Sequence, residues 1–169
     1  MKPKHIKKLL MSEIKNVASK PHNYCSNPNT DFTRNRKLSM EKMLQGIIGM
    51  ESKSLTNELL DLFHASAETP TASAFIQQRN KIKPKAFESI FKNFSKNLMN
   101  LCNKDMPIFA VDGSDIQIPT NPSDTASYIA GTNGHKGYNL LHINALYDLN
   151  KHIYSDVIIQ KARERNEHK

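Results

Sequence analysis

The chain has 169 residues, 38% of them hydrophobic, with 24 Lys/Arg against 16 Asp/Glu and a net charge of +8. That length supports one good core, or a helical module joined to part of a larger domain; no apolar run approaches the ~20 residues of a membrane span. Cys25 and Cys102 lie far apart with no CxxC, which speaks against a zinc site or a disulfide framework and for a reducing cytoplasm. The charge is uneven. Residues 1–104 carry 18 basic and 8 acidic side chains, residues 105–169 carry 6 and 8. A basic front half points to a polyanionic partner, most often nucleic acid; the competing reading is plain solvated surface.

Residues 2–18 place Ile6, Leu9, Leu10, Ile14 and Val17 on one helical stripe, with Lys4, Lys7, Lys8 and Lys15 elsewhere around the helix. The apolar residues at 6, 9 and 10 are too sparse for a signal-peptide core. Residues 19–37 read as a linker, with Pro21, Pro28 and the basic cluster Arg34, Arg36 and Lys37. Ser39 is the expected N-cap of a helix to about Met50, and Ser54 opens a shorter helix carrying Leu55, Leu59, Leu62 and Phe63. Thr71 or Ser73 then caps a helix through Ile82 that bears Gln77, Gln78, Arg79, Asn80 and Lys81. Such side chains bond base edges or phosphates, so the pair resembles a helix-turn-helix, although the intervening gap exceeds the usual turn of about 3–4 residues. Pro84 begins the clearest helix, where Phe87, Ile90, Phe91, Phe94, Leu98 and Leu101 share a face beside Cys102.

The stretch from Pro107 to Pro119 organises the remainder. Ile108, Phe109, Ala110 and Val111 form a continuous apolar run suited to a strand covered on both faces, expected to stop at Asp112-Gly113. On the residues alone this pair is either a turn signal or a carboxylate at a strand end, placed to hold a divalent metal. Residues 119–137 read as a long loop. Its Gly131, Gly134 and Gly137 lack the GK[ST] of a phosphate loop and precede a strand; His135 and Lys136 are the groups there able to touch a phosphate. A strand over 138–149 puts Leu141, Ile143, Ala145, Tyr147 and Leu149 on one face, Asn150-Lys151 turns the chain, and a strand from His152 to Gln160 aligns Ile153, Val157 and Ile159. The opening of a helix follows from Ala162. Three strands and an unfinished helix do not close a domain, so the chain reads as cut short.

In order, FTRNRKLSMEKMLQGIIGMESKSLTNEL, SAFIQQRNKIKPKAF, IFAVDGSDIQIP and GHKGYNLLHINALYDLNKHIYSDVIIQKARERNEH resemble the N-terminal part of bacterial insertion-sequence transposases of the DDE type, in the branch named after insertion sequence four. The resemblance spans about residues 30–169, with the DGS and NALYDL stretches its most specific pieces. It implies an α+β architecture: an all-helical DNA-binding region followed by the first three strands of an incomplete RNase-H-like mixed sheet. The expected segments are a basic helix and linker over 1–38, the helical DNA-binding region over 39–104, and the truncated catalytic domain over 105–169.

In that family two Asp and one Glu hold two divalent metals for in-line phosphodiester cleavage and strand transfer, and the resemblance makes Asp112 the first of the three. Asp115 reads as a loop residue, Asp148 as a hairpin cap, and Asp156 lacks the context of the second family Asp. The segments bearing that second Asp and the Glu are absent from the 57 residues after Asp112, so Mg²⁺ or Mn²⁺ is expected only in the full-length enzyme and this polypeptide alone is expected to be inactive. The implied partners are double-stranded DNA, as transposon ends and target, and a second copy in a synaptic homodimer, in the bacterial cytoplasm at the nucleoid. Arg34, Arg36, Lys37, Arg79, Lys81 and Lys136 are the candidate DNA contacts. The alternative is a non-enzymatic DNA-binding module, or an inhibitor of transposition derived from a transposase.

Overall fold

The computed structural model describes residues 2–34, 37–101, 106–132 and 134–164. Arg36, Cys102 and residues 165–169 of the expected C-terminal helix lie outside that set; Ala162–Glu164 forms a single 3-10 turn. The chain falls into two compact units, Met1–Leu98 and Met99–Lys169. No helix among the described residues is long and apolar enough to cross a membrane.

The first unit holds helices α1 (Pro3–Ala18), α2 (Met40–Gly49), α3 (Leu55–Leu62) and α4 (Ala72–Arg79), with most of α5 (Lys85–Leu101). Three of the helices start at a side chain that accepts from an orphaned amide, and α1 starts at a proline, which has no amide hydrogen to satisfy. Pro3 opens α1, and Ser39, Ser54 and Thr71 accept from the amides of Lys42, Asn57 and Ala74, each such cap contributing about 1 kcal/mol. The apolar stripes meet in one core of Ile14, Val17, Met43, Leu44, Leu59, Phe75, Ala86 and Ile90. Buried polar side chains tie the connections. Glu58 accepts from the amides of Glu51 and Lys53, both at 2.8 Å, and Asn97 donates to Glu13 at 2.9 Å.

Two expectations fail here. Within 19–34, expected as a linker, residues 24–26 are tied to the other helices rather than running free. Cys25 is fully buried and bridges Ile82, flanked by Ser26 N–H to Lys81 O and Lys83 N–H to Tyr24 O, both 2.8 Å. Burial, then the nearby Asp31 carboxylate, pushes the Cys25 thiol up from its ordinary value. Helix α4 likewise stops at Arg79 rather than reaching Ile82. Pro84 disfavours helical backbone at Lys83, and 81–83 extend to pair with 24–26. Between α3 and α4 the chain passes through left-handed His64 (φ 52°) and Ala65 (φ 48°); nine residues separate the helices, not a tight helix-turn-helix turn.

The second unit is an antiparallel sheet of β1 (Phe109–Ile118), β2 (Tyr128–Ile129), β3 (Tyr138–Asp148) and β4 (Ile153–Lys161). β3 is central: β1 pairs along one edge from Phe109↔Asp148 to Ile118↔Asn139, while β2 and β4 share the other. Four sequence expectations are corrected. The strand expected to end at Asp112-Gly113 runs on to Ile118, because ten consecutive pairs with β3 outweigh a local turn preference. The apolar run is not covered on both faces, since Phe109 and Val111 are 46% and 72% exposed. The 119–137 stretch contains β2 and an ordered turn: buried Asn139 holds Asn121 through its amide and carbonyl and donates to Ser127 Oγ at 2.8 Å. A bulge at Ser155 also shifts the register, so Ile153 lies opposite Asp148 rather than on the face of Val157 and Ile159.

Phe75 is fully buried at the meeting of the helices. Phe75→Ala should destabilise the helical unit by about 3–5 kcal/mol, read as a lower urea midpoint by circular dichroism.

Candidate functional site

Paired residues of an antiparallel ladder share a face, so the register sorts the sheet's carboxylates. One face carries Ala110, Asp112, Ser114 and Ile116 on β1, then Tyr147, Ala145, Ile143 and Leu141 on β3, then Tyr154, Val157 and Ile159 on β4. Asp112 stands exposed in the middle of this apolar face, opposite Ala145. The other face carries Asp115, Asp148 and Asp156. The sheet therefore separates Asp112 from every other strand carboxylate.

Each of those three has a structural partner. Asp148 is fully buried, and its Oδ1 accepts from the amides of Asn150 and Lys151, both at 3.0 Å, while Oδ2 lies 3.3 Å from Lys151 Nζ. It caps the β3–β4 hairpin. Burial would raise its carboxyl, but the two amides and the Lys151 ammonium outweigh burial and hold it below the ordinary value. Asp156 accepts from the Val157 amide at 2.9 Å beside the bulge. Asp115, expected in a loop, is a strand residue opposite His142, whose Nδ1 lies 2.7 Å from its Oδ1.

The Asp115–His142 pair is one that sequence reasoning missed. The His142 ring is 2% exposed, and its Nε2 sits 3.2 Å from Asn144 Oδ1. Nδ1 donates to the carboxylate, while the Asn144 amide can accept from or donate to Nε2 by turning over. Gly113 makes the space: a Cβ there would lie 3.0 Å from His142 Cε1 and 3.1 Å from Asn144 Oδ1. The available signal was the alternation of His142 and Asn144 with Leu141, Ile143 and Ala145, which marks a polar strand face. The facing partner needed the register.

Two further groups fasten the loop before β3. Lys161 Nζ lies 2.8 Å from Asp124 Oδ1, and Ser127 Oγ donates to Asp124 Oδ2 at 2.8 Å. The Lys161 and Ser127 hydrogen bonds hold the Asp124 carboxyl below its ordinary value. Of the spaced glycines, Gly131 passes against the His135 carbonyl and Gly137 lies beneath the Tyr128 ring, where a Cβ would collide in both cases. These are packing roles and not a phosphate cradle.

Among the described residues no group of three His, Cys, Asp or Glu side chains is arranged to hold a metal. Among the described residues no two-metal centre is assembled: Asp112 supplies one carboxylate, with apolar or hydroxyl neighbours on its face. The DNA-contact candidates are also dispersed. Arg34 and Lys81 line one cleft of the helical unit, Arg79 is exposed at the end of α4, and Lys37 pairs with Glu68 at 3.0 Å on the surface. Lys136 is exposed in the second unit. No protein-family model, curated protein or solved structure matches the chain.

Two outcomes follow from the sheet. Asp148 and Asp124 have folded-state values below the ordinary 3.8, so their ionised forms favour folding. Their contribution is complete above the unfolded value and is lost as pH falls through 3.8 toward the lower folded values. The thermal midpoint of the sheet should drop across that acid window, and less so in Asp148→Asn. His142→Ala, which leaves a hole and an unpaired Asn144, should cost about 1–3 kcal/mol in urea denaturation at neutral pH.

Proposed function

We propose that this chain is the N-terminal part of a DDE-type insertion-sequence transposase, consisting of a basic helical DNA-binding unit and the opening strands of an RNase-H-like catalytic domain. One observation carries the reading: β1, β3 and β4 form an antiparallel run in chain order, with Asp112 exposed on the first of them. The ordered sequence resemblance and the charge of the helical unit, 17 Lys/Arg against 8 Asp/Glu over residues 1–98, support it. Asp112 takes the place of the family's first carboxylate. It lies within a strand rather than at its end, and its open face leaves access for further ligands.

On this reading the chain binds duplex DNA, and its polypeptide alone neither cuts nor joins it. One carboxylate cannot organise two metals, and metal-dependent chemistry with Mg²⁺ or Mn²⁺ belongs to the full-length enzyme acting on transposon ends and target, as a synaptic dimer at the nucleoid. A second reading, a DNA-binding module without catalysis or an inhibitor of transposition, is favoured by the self-contained core of the helical unit.

Purified chain with supercoiled plasmid and Mg²⁺ or Mn²⁺ should give no nicking above background. Nicking abolished by Asp112→Ala overturns the inactivity. Gel shifts with duplex DNA should weaken steeply as salt rises, because neutralised phosphates release counterions; no shift at the lowest salt overturns both readings. The coding DNA downstream separates them, since an in-frame Asp followed by a Glu on a helix belongs to the transposase alone.

A further inference from the structure

The first unit has one concave place where two of its candidate cations converge. A cleft of about 300 Å³ is bounded by Thr30, Thr33 and Arg34 from the segment before α2, and by Gln78 and Lys81 at the end of α4, with Phe32 among its apolar lining. These groups are distant in sequence and are brought together by built structure. The 24–26/81–83 pairing fixes the Lys81 backbone. Asp31, 5% exposed, accepts from the Asn27 amide at 2.9 Å and lies 3.9 Å from Lys81 Nζ, which orients the ammonium. Phe32 adopts a left-handed backbone at φ 57°, a strained conformation for a non-glycine residue that is retained where the surroundings impose it.

The chemistry of the lining selects its occupant. Two cations against the one buried carboxylate leave the cleft positive. The hydroxyls and the Gln78 amide add neutral donors, and the aromatic side chain offers an apolar wall. Phosphate oxygens demand such donors, and a sugar suits such a wall. The rest of the unit, at net +9 over residues 1–98, draws a polyanion toward it. We propose that this cleft is a phosphodiester subsite, seating one backbone phosphate of duplex DNA between Arg34 and Lys81 with its sugar against Phe32. The proposal rests on the DNA-binding reading above and goes beyond it by separating Arg34 and Lys81 from Lys37 and Arg79, which lie outside the cleft.

The test is fluorescence anisotropy of a labelled duplex oligonucleotide against the full chain over graded KCl. It compares wild type, Arg34→Gln, the pair Arg34→Gln with Lys81→Gln, and a control pair Lys20→Gln with Lys96→Gln, both exposed and outside the cleft. Losing one phosphate contact should make the slope of log K against log[salt] shallower by about 0.9, with affinity falling about tenfold at low salt, in the cleft pair but not in the control pair. Arg34→Gln, at an exposed position, keeps the test valid should the Lys81 change unfold the chain; it should give part of the same loss. Inorganic phosphate at matched ionic strength is the second arm, and it should not displace the duplex. A cleft pair or single variant that binds like wild type overturns the subsite alone. Displacement by free phosphate at low millimolar concentration overturns the assignment to DNA in favour of a small-anion site. Wild type failing to bind duplex at the lowest salt overturns both the subsite and the DNA-binding reading.

Discussion

The second unit depends on one contact that requires a missing side chain. β1 and β3 pair over ten residues, and midway along them the buried His142 ring occupies the space over Gly113. A Cβ there would sit 3.0–3.1 Å from the imidazole and the Asn144 amide, so these side chains would have to give by a few tenths of an ångström. With glycine in place, His142 bonds Asp115 on β1 and Asn144 on its own strand, joining the strands by side chains as well as by the backbone ladder. That interaction occupies one face of the sheet. It leaves Asp112, one residue before the glycine, to stand on the other face among Ala145, Ile143 and Ser114. The position of the carboxylate is thus set by the packing behind it.

The helical unit is organised by the same logic with different parts. Its helices are short, and their apolar stripes suffice only because the connections are also tied. Glu58 gathers the amides that follow α2, Asp31 gathers the turn after Cys25, and residues 24–26 pair with 81–83. The hydrogen bonds that order these connections offset part of the conformational entropy that fixing them costs. This ordering also brings side chains from segments far apart in sequence to one place, which is how Arg34 and Lys81 come to line the same cleft.

Much of this was legible in the sequence, where the physics is local. Four of the helices follow from apolar spacing and α4 from its capping residue, and Ser39, Ser54 and Thr71 (the last one of two candidates) act as caps in the structure. The strand alternation in β3 and the turn at Asn150-Lys151 were legible for the same reason. What escaped were features decided by a partner distant in sequence. The Asp112-Gly113 turn signal gave way to a ladder whose other strand begins more than twenty residues later. The two-residue strand β2 is too short to carry a period, and the bulge at Ser155 breaks the alternation that had grouped Ile153 with Val157. The supposed linker read as loop from its Pro and Asn content, because nothing local announces that Cys25 will pair with Ile82. Of the candidate site, the exposure of a carboxylate at position 112 was within reach, whereas its isolation from Asp115, Asp148 and Asp156 needed the register.

Cys25 gives the helical unit a reporter of its own. Its sulfur is sealed at the bridge to Ile82, and its thiol is held in the protonated form by burial and by Asp31. Alkylating reagents attack the thiolate, so the rate of modification at this position is limited by how often the bridge parts. The chain therefore carries a built-in clock for breathing of the segment that supports Lys81, readable peptide by peptide in a mass spectrometer without any added label.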